Sequence, residues 1–214
     1  MLIIFDLDGT LIDSSKDLAI SMNATRAHMG MPPLDPNLIF SYVGNGVAAL
    51  VQRALGDSAS EPMLQEAVAY FLKFYRAHAL EHTQLYPGIR ELLEQLSSAR
   101  HKLAVLTNKP ARISYDIVKA LAFADRFIRV YGGDSFAAKK PDPIGVATLI
   151  GDAGARHEDT LLVGDSAVDV EAARNAGVRC CGVLWGFQPE GLRAKNPDIM
   201  INQPAELLNY IHQS

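Results

Sequence analysis

Four apolar residues, Leu2-Ile3-Ile4-Phe5, run straight into Asp6-Leu7-Asp8-Gly9-Thr10, and this stretch constrains the fold more than any other. A short Ile-rich run without polar alternation is expected of a strand buried on both faces of a parallel sheet. It ends in two carboxylates two positions apart, followed by a glycine and a hydroxyl. Residues i and i+2 share one side of a strand, so both acids can border one cavity even where the chain loosens after Asp6. Like charges packed there repel unless a cation or a shared proton offsets them. A divalent metal is the simplest remedy, because hard cations prefer oxygen ligands. Gly9 would let the backbone turn and approach a ligand closely. Taken alone, the stretch fits equally well a strand ending in an ordinary polar turn, so the rest of the chain has to decide.

From residue 103 onward, strand-like and helix-like segments alternate. Strands are expected at 103–107, 128–131, 161–164, 180–184 and 199–201. Helices are expected at 113–123, 144–151, 170–176 and 205–211, with a further one carrying Ile89, Leu92, Leu93 and Leu96. Such alternation predicts an α/β fold with a doubly wound parallel sheet and helices on both faces. A parallel crossover needs only about 10–12 residues, yet nearly a hundred separate Asp6 from Leu103. Helical spacing fills most of that gap: Leu18, Met22, Thr25 and Met29; then Val47, Leu50, Val51, Ala54 and Leu55; then Leu64, Val68, Phe71, Leu72 and Tyr75. Residues 31–36, with three prolines, read as a loop. A small all-helical domain over 14–85 is therefore expected to be inserted into an α/β core formed by 1–13 and 86–214.

Composition narrows the class. The net charge of −4 and the absence of a basic run argue against nucleic acid as the main partner. Cys180 and Cys181 are adjacent in an apolar stretch and read as buried thiols in a strand, which fits a reducing cytoplasm. The opening residues lack a basic n-region, and no apolar run reaches the roughly 18 residues of a membrane span. A cytoplasmic protein with no membrane partner, monomeric or homodimeric, is expected.

In an open parallel sheet, ligands bind beyond the carboxyl ends of the strands. The first strand delivers Asp6 and Asp8, and the second Thr107-Asn108-Lys109. The third leads through Gly132-Gly133-Asp134 to Lys139-Lys140-Pro141, and the fourth delivers Gly164-Asp165-Ser166 with Asp169 shortly after. Acids, a hydroxyl and lysines gathered at one sheet edge suit phosphoryl transfer. Carboxylates hold a magnesium ion, a lysine adds positive charge, Thr107 and backbone amides bind oxygens, and one carboxylate remains free to attack phosphorus.

Asp6-Leu7-Asp8-Gly9-Thr10, Thr107, Lys140 and Gly164-Asp165-Ser166-Ala167-Val168-Asp169 resemble, in order, the four motifs of the haloacid dehalogenase-like superfamily, and the helical insertion matches the cap of its phosphatase-type members. The resemblance spans the whole chain. Within the superfamily, 42–47 and 50–55 look like the cap segment of phosphoglycolate phosphatases, and Thr107-Asn108-Lys109-Pro110, 132–134, 139–141 and Trp185-Gly186-Phe187 point the same way. The resemblance implies a magnesium-dependent phosphatase that forms an aspartyl-phosphate and hydrolyses a small phosphorylated metabolite, 2-phosphoglycolate first. Another small-molecule phosphatase, a pyrophosphatase or a phosphomutase resembling β-phosphoglucomutase is the alternative.

The same resemblance implies roles. Asp6 would be nucleophile and metal ligand. Asp8 would be the general acid and base, and would bind metal through its backbone carbonyl. Thr107 would hold a phosphoryl oxygen with Asn108 nearby, and Lys140 would stabilise charge. Asp165 would be a third metal ligand, with Asp169 binding directly or through water.

Plainer roles compete for several of these positions. Asp169 could cap the following helix, and Lys139 contends with Lys140, which is favoured. Asp13 and Ser14 read as helix caps. Asn45 and Arg53 are expected near the substrate, although Gly44-Asn45-Gly46 also fits a tight turn and Arg53 a solvated helix residue. Phe71, Phe74 and Tyr75 read as core of the helical insertion. The six histidines (28, 78, 82, 101, 157, 212) lack ligand spacing and read as structural.

Overall fold

The strand β1 (Leu2–Phe5) lies in the interior of a six-stranded sheet and is buried along its whole length. In this computed structural model, which describes residues 1–211, β2 (Ile12–Asp13) follows β1. Four helices come next: α1 (Ser15–His28), α2 (Pro36–Ser41), α3 (Val47–Leu55) and α4 (Glu61–His78). Then come β3 (Gln84–Leu85), α5 (Ile89–Ser98), β4 (Lys102–Leu106), α6 (Ala111–Ala120), β5 (Arg129–Tyr131) and α7 (Ile144–Ala153). The chain continues through β6 (Thr160–Gly164), α8 (Ala167–Asn175), β7 (Arg179–Val183), α9 (Pro189–Ala194), β8 (Ile199–Ile201) and α10 (Leu207–Ile211).

The strand order is β5-β4-β1-β6-β7-β8 and every pairing is parallel. The expected doubly wound α/β sheet is therefore present. Alternation along β1 sends Ile3 and Phe5 into one apolar layer and Leu2 and Ile4 into the other. The first layer includes residues of α5 and α6, the second residues of α7 and α8. Burial on both faces explains why β1 reads as an unbroken apolar run rather than an alternating one. Cys180 and Cys181 are free and buried, one in each layer.

Register positions the strand ends. Phe5 pairs with Val105 on one side and Val163 on the other. Asp6, Thr107 and Asp165 therefore leave the sheet within a residue of one another. The chain turns to β4 on one side of β1 and to β6 on the other, and a crevice opens at such a reversal.

Between β1 and α5, the helices α1, α3 and α4 pack on one another, with α2 against α1. Ala67, Phe71 and Tyr75 form the buried stripe of α4 at four-residue spacing. Phe74 lies off this stripe and stacks between Tyr70 and His78, which corrects its assignment to the core. Two short helices, α2 and α9, carry too few residues for a periodic signal. Pro36 opens α2 rather than ending a loop, with Asp35 accepting a hydrogen bond from Asn37 N at 2.8 Å. The helix expected over 113–123 stops at Ala120, where Ala122 takes a left-handed conformation (φ 58°). The helix expected from 170 begins at Ala167, because Ser166 and Asp169 form a capping box.

The strands β2 and β3, too short to read from sequence, join the insertion to the sheet. They pair antiparallel, Ile12 with Leu85 and Asp13 with Gln84, so the outgoing and returning chains cross side by side. Asp17 ties this junction together. Its buried carboxylate accepts hydrogen bonds from His82 N (2.9 Å), Thr83 N (2.8 Å) and Thr83 Oγ1 (2.8 Å), and it meets His82 Nδ1 at 2.7 Å. His82 is thus structural, as expected; His212 lies outside the described residues. Among the described residues, no helix is long and apolar enough to cross a membrane.

Burial alone would raise the Asp17 pKa, but hydrogen bonds from His82 and Thr83 outweigh it and leave the group below its ordinary value. A lowered carboxylate pKa stabilises the fold above the unfolded value and loses that effect as acid protonates the group. Asp17→Asn, which cannot accept from all these donors, is expected to cost about 2 kcal/mol at neutral pH. Urea denaturation at several pH values should show the gap between wild type and variant closing below roughly pH 4.

Candidate active site

Every carboxylate expected from the strand ends is found at one edge of the sheet. Asp6 follows β1, and Asp165 follows β6. Asp169 lies in the first turn of α8, its three-residue distance from Ser166 fixed by the capping box. Oxygens of Asp6, Asp165 and Asp169 all lie within 4.8 Å of one another, and all three residues are buried. The backbone is shaped around them. Gly9 adopts a left-handed conformation (φ 77°), and a Cβ there would overlap the Asp165 carboxylate. A Cβ on Gly164 would overlap Asp169 in the same way. The glycines that punctuate the sequence motifs thus let the acids approach the main chain.

Lys140 projects into this cluster. Its Nζ donates a 2.6 Å hydrogen bond to Asp169 Oδ1 and lies 2.9 Å from Asp6 Oδ1. The second contact is an ion pair between buried groups, and Lys140 is the cation beside Asp6 Oδ1. Lys140 is thus the lysine in the site, whereas Lys139 is exposed. Burial pushes the Asp6 pKa up to about 6; Lys140 pulls it down, and Asp169 adds to the rise. Asp165 is raised well above its ordinary value by burial and then by Asp169 and Asp6. Burial would lower the Lys140 pKa, but Asp169 and Asp6 outweigh it and hold the ammonium above its usual range.

Asp8 faces elsewhere. Its carboxylate accepts from Lys109 Nζ at 2.8 and 2.9 Å and from Ser14 Oγ at 2.5 Å. Ser14 occupies the cap position of α1 without using its side chain there, and Asp13 accepts from Ser15 N at 3.0 Å instead. Ser14 is thus the cap residue of α1 by position, with its hydroxyl turned to Asp8, and Asp13 supplies the side-chain bond to the first turn. Lys109 also donates to Tyr75 Oη at 2.6 Å. Sequence reasoning named Lys109 only as a cation at a strand end and took Tyr75 for core. The available signal was a hydroxyl on the last turn of an apolar stripe, where a buried phenol needs a partner.

Asp6, Asp8, Thr107, Asn108, Lys109, Asp165 and Ser166 line one wall of a cavity. Val43, Gly44, Gly46, Val47, Leu50, Phe71 and Tyr75 of the helical insertion line the opposite wall. Three residues expected near the substrate have other partners in this structure. Arg53 is exposed and donates to Tyr42 O (3.2 Å) and Asn45 Oδ1 (3.0 Å), so neither Arg53 nor Asn45 lines the cavity. The two satisfy each other at the turn before α3, and it is the flanking glycines that face inward. Asn108 does line the cavity, but its Nδ2 donates to Gly44 O (2.8 Å) and Lys140 O (2.9 Å). Its side chain clips the insertion to the core rather than offering donors to a phosphate. Gln188, also unmarked in the sequence, reinforces the clip through Nε2 donation to Val43 O. Asp169 has both oxygens engaged, one by Lys140 and the other by Ser166 N (3.1 Å) and Ser166 Oγ (2.6 Å).

A parallel sheet with four carboxylates and two buried lysines at its reversal point, facing an inserted helical wall, defines a class, and comparison with known proteins agrees. Residues 3–183 match the family model of the haloacid dehalogenase-like hydrolases, and the chain belongs to that family. It is 39% identical over 207 residues to a phosphoglycolate phosphatase of Chromobacterium violaceum, covering 95% of this chain and 92% of that one. It is 37% identical to a phosphoglycolate phosphatase of Aquifex aeolicus, covering 96% and 94%. A crystal structure of a predicted phosphoglycolate phosphatase from Haemophilus somnus superposes with a TM-score of 0.93 at 32% identity, covering 98% and 96%.

The crowded carboxylates generate a stability prediction. A carboxylate pKa raised on folding means that the native state holds protons the unfolded state has released, so stability falls as pH rises between the two values. The metal-free protein should therefore lose stability from roughly pH 4 upward, through the Asp6 value of about 6. Asp165→Asn removes one charge while its side-chain oxygen can still accept from Phe187 N. In chelator it is expected to be more stable than wild type at pH 7, by about 1–2 kcal/mol, and equal to it near pH 3. Denaturant titrations at the two pH values check the sign.

Proposed function

We propose that this chain hydrolyses 2-phosphoglycolate to glycolate and phosphate through an aspartyl-phosphate on Asp6. The observation that carries the reading is the charge imbalance at the cavity floor. Asp6, Asp8, Asp165 and Asp169 gather around Lys109 and Lys140, so that four carboxylates face two ammonium groups. Two ammonium groups leave a deficit that a magnesium ion fits in charge and in its preference for oxygen. Asp6 and Asp165 would hold the ion, with Asp169 behind them. Bound there, magnesium would neutralise charge on the phosphoryl group.

The chain's own residues account for the remaining steps. The Asp6 carboxylate attacks phosphorus, forming an acyl-phosphate bond as the ester P–O bond breaks. Asp8 protonates the departing alkoxide and then takes a proton from the water that hydrolyses the acyl-phosphate. Lys140 offsets charge on Asp6 and the transferring group, and Thr107, buried beside them, donates to a phosphoryl oxygen. In this reading residues 14–85 form a cap over a core of 1–13 and 86–214, and exclude water while the acyl-phosphate exists. The substrate is a small phosphorylated metabolite, and the enzyme works in the cytoplasm without nucleic acid or membrane as partner. The specific substrate is supported by full-length similarity to relatives that bear the name phosphoglycolate phosphatase.

Phosphate release from a panel of phosphomonoesters with magnesium tests the proposal. 2-Phosphoglycolate should lead in kcat/KM, chelator should abolish turnover, and Asp6→Asn should lose at least about 10⁴-fold. A different leading ester with an inactive variant would overturn the substrate and leave the chemistry standing. Wild-type turnover by Asp6→Asn would remove the nucleophile.

A further inference from the structure

The two cavity walls differ in a way the phosphoryl chemistry does not explain. Leu18, Val43, Val47, Leu50 and Phe71 give the insertion side an apolar surface. Lys109 is the only cation among the described lining residues. Lys140 is taken by Asp6 and Asp169 and does not line the cavity, and Arg53 is held outside it. A substrate that carries a second anionic group would have to bury it here, and an unpaired buried carboxylate is strongly unfavourable. Lys109 is the lining cation placed to pair with it.

The contacts of Lys109 suggest what that pairing does. Its ammonium directs hydrogen bonds at both oxygens of Asp8 and at Tyr75 Oη, and it sits 4.5 Å from the Tyr75 ring centroid. While Lys109 and Ser14 hold Asp8, its oxygens are turned to them rather than to a leaving group. Resting on the reading above, we propose that Lys109 recognises the carboxylate of the substrate and exchanges Asp8 for it, so that the correct substrate frees Asp8 from its ion pair to take up a proton from solvent and pass it to the leaving oxygen. The exchange replaces one carboxylate by another, so Lys109 stays paired throughout. A neutral alcohol end has no charge with which to displace Asp8. Tyr75 is a positioning residue: it lies on α4, and its hydroxyl aims Nζ along the boundary between insertion and core.

The test compares 2-phosphoglycolate with ethyl phosphate, which lacks only the carboxylate function, in wild type, Lys109→Met and Tyr75→Phe. Circular dichroism and thermal melts report whether each variant is folded. Wild type should prefer 2-phosphoglycolate. Lys109→Met should slow 2-phosphoglycolate hydrolysis, because the substrate carboxylate loses its partner, while ethyl phosphate hydrolysis, for which Lys109 no longer holds Asp8 away, should not slow, so that the preference falls by about 100-fold. Tyr75→Phe should raise KM for 2-phosphoglycolate more than KM for ethyl phosphate, with a smaller change in kcat. Equal losses on both substrates, or a preference kept in folded Lys109→Met, would overturn the proposal. Should Lys109→Met not fold, Tyr75→Phe decides alone, and an unchanged preference there overturns it. If wild type ignores 2-phosphoglycolate, the substrate assignment fails separately. The Lys109 question is then settled by the same ratio for 3-phosphoglycerate against glycerol 1-phosphate, and no wild-type preference in that pair overturns it.

Discussion

Repulsion among carboxylates brought to one sheet edge governs the architecture around this cavity. Asp6, Asp165 and Asp169 come within 4.8 Å of one another, and a protein interior does not tolerate such a cluster without compensation. Lys140 supplies part of it, and the rest of the local design follows from holding Lys140 in place. Asn108 accepts that duty by donating to the Lys140 carbonyl, and Asp169 does so by giving one oxygen to Nζ and the other to its own helix cap. The remaining deficit is reflected in the raised pKa values of buried Asp6 and Asp165.

The same groups that balance charge also fasten the helical insertion. Asn108 reaches from Lys140 O to Gly44 O, and Lys109 reaches from Asp8 to Tyr75 on α4. Movement of the insertion therefore cannot be independent of the charged floor, since each clip has one end on a residue beside the carboxylates. The junction itself is built differently. Asp17 gathers four partners from His82 and Thr83 next to the β2–β3 pair, and none of these residues lines the cavity. The insertion is thus fastened at its base by Asp17 and at the cavity by Asn108 and Lys109.

The sheet and the motif carboxylates were legible because their signals are local. An unbroken apolar run means burial on both faces, and a residue at a strand end is placed by the strand. Thus Asp6, Thr107, Lys140 and Asp165 could be located from spacing and order. Short elements escaped, since two residues of β2 or six of α9 carry no period. Lys109, Tyr75 and Gln188 escaped for another reason: their roles depend on partners 101, 34 and 145 residues away in the chain. Arg53 and Asn45 show a different limit. A charged side chain near an expected pocket reads as a substrate contact, whereas here the pair bond each other at the surface and the glycines flanking Asn45 line the cavity.

The two lysines that follow consecutive strands differ in their partners rather than in their depth. Lys140 is buried behind Asp6 and meets only carboxylates, so its charge acts on whatever Asp6 touches, independent of the rest of a substrate. Lys109 is equally buried but stands at the wall, between an acid of the core and a phenol of the insertion. Burial pushes the Tyr75 pKa up to about 12, so at neutral pH the phenol accepts from the ammonium without competing for its charge. One cation thus sits among carboxylates of the core and the other at the boundary between core and insertion. An α/β core can keep its phosphoryl chemistry constant while the contacts made across that boundary set which ester is accepted.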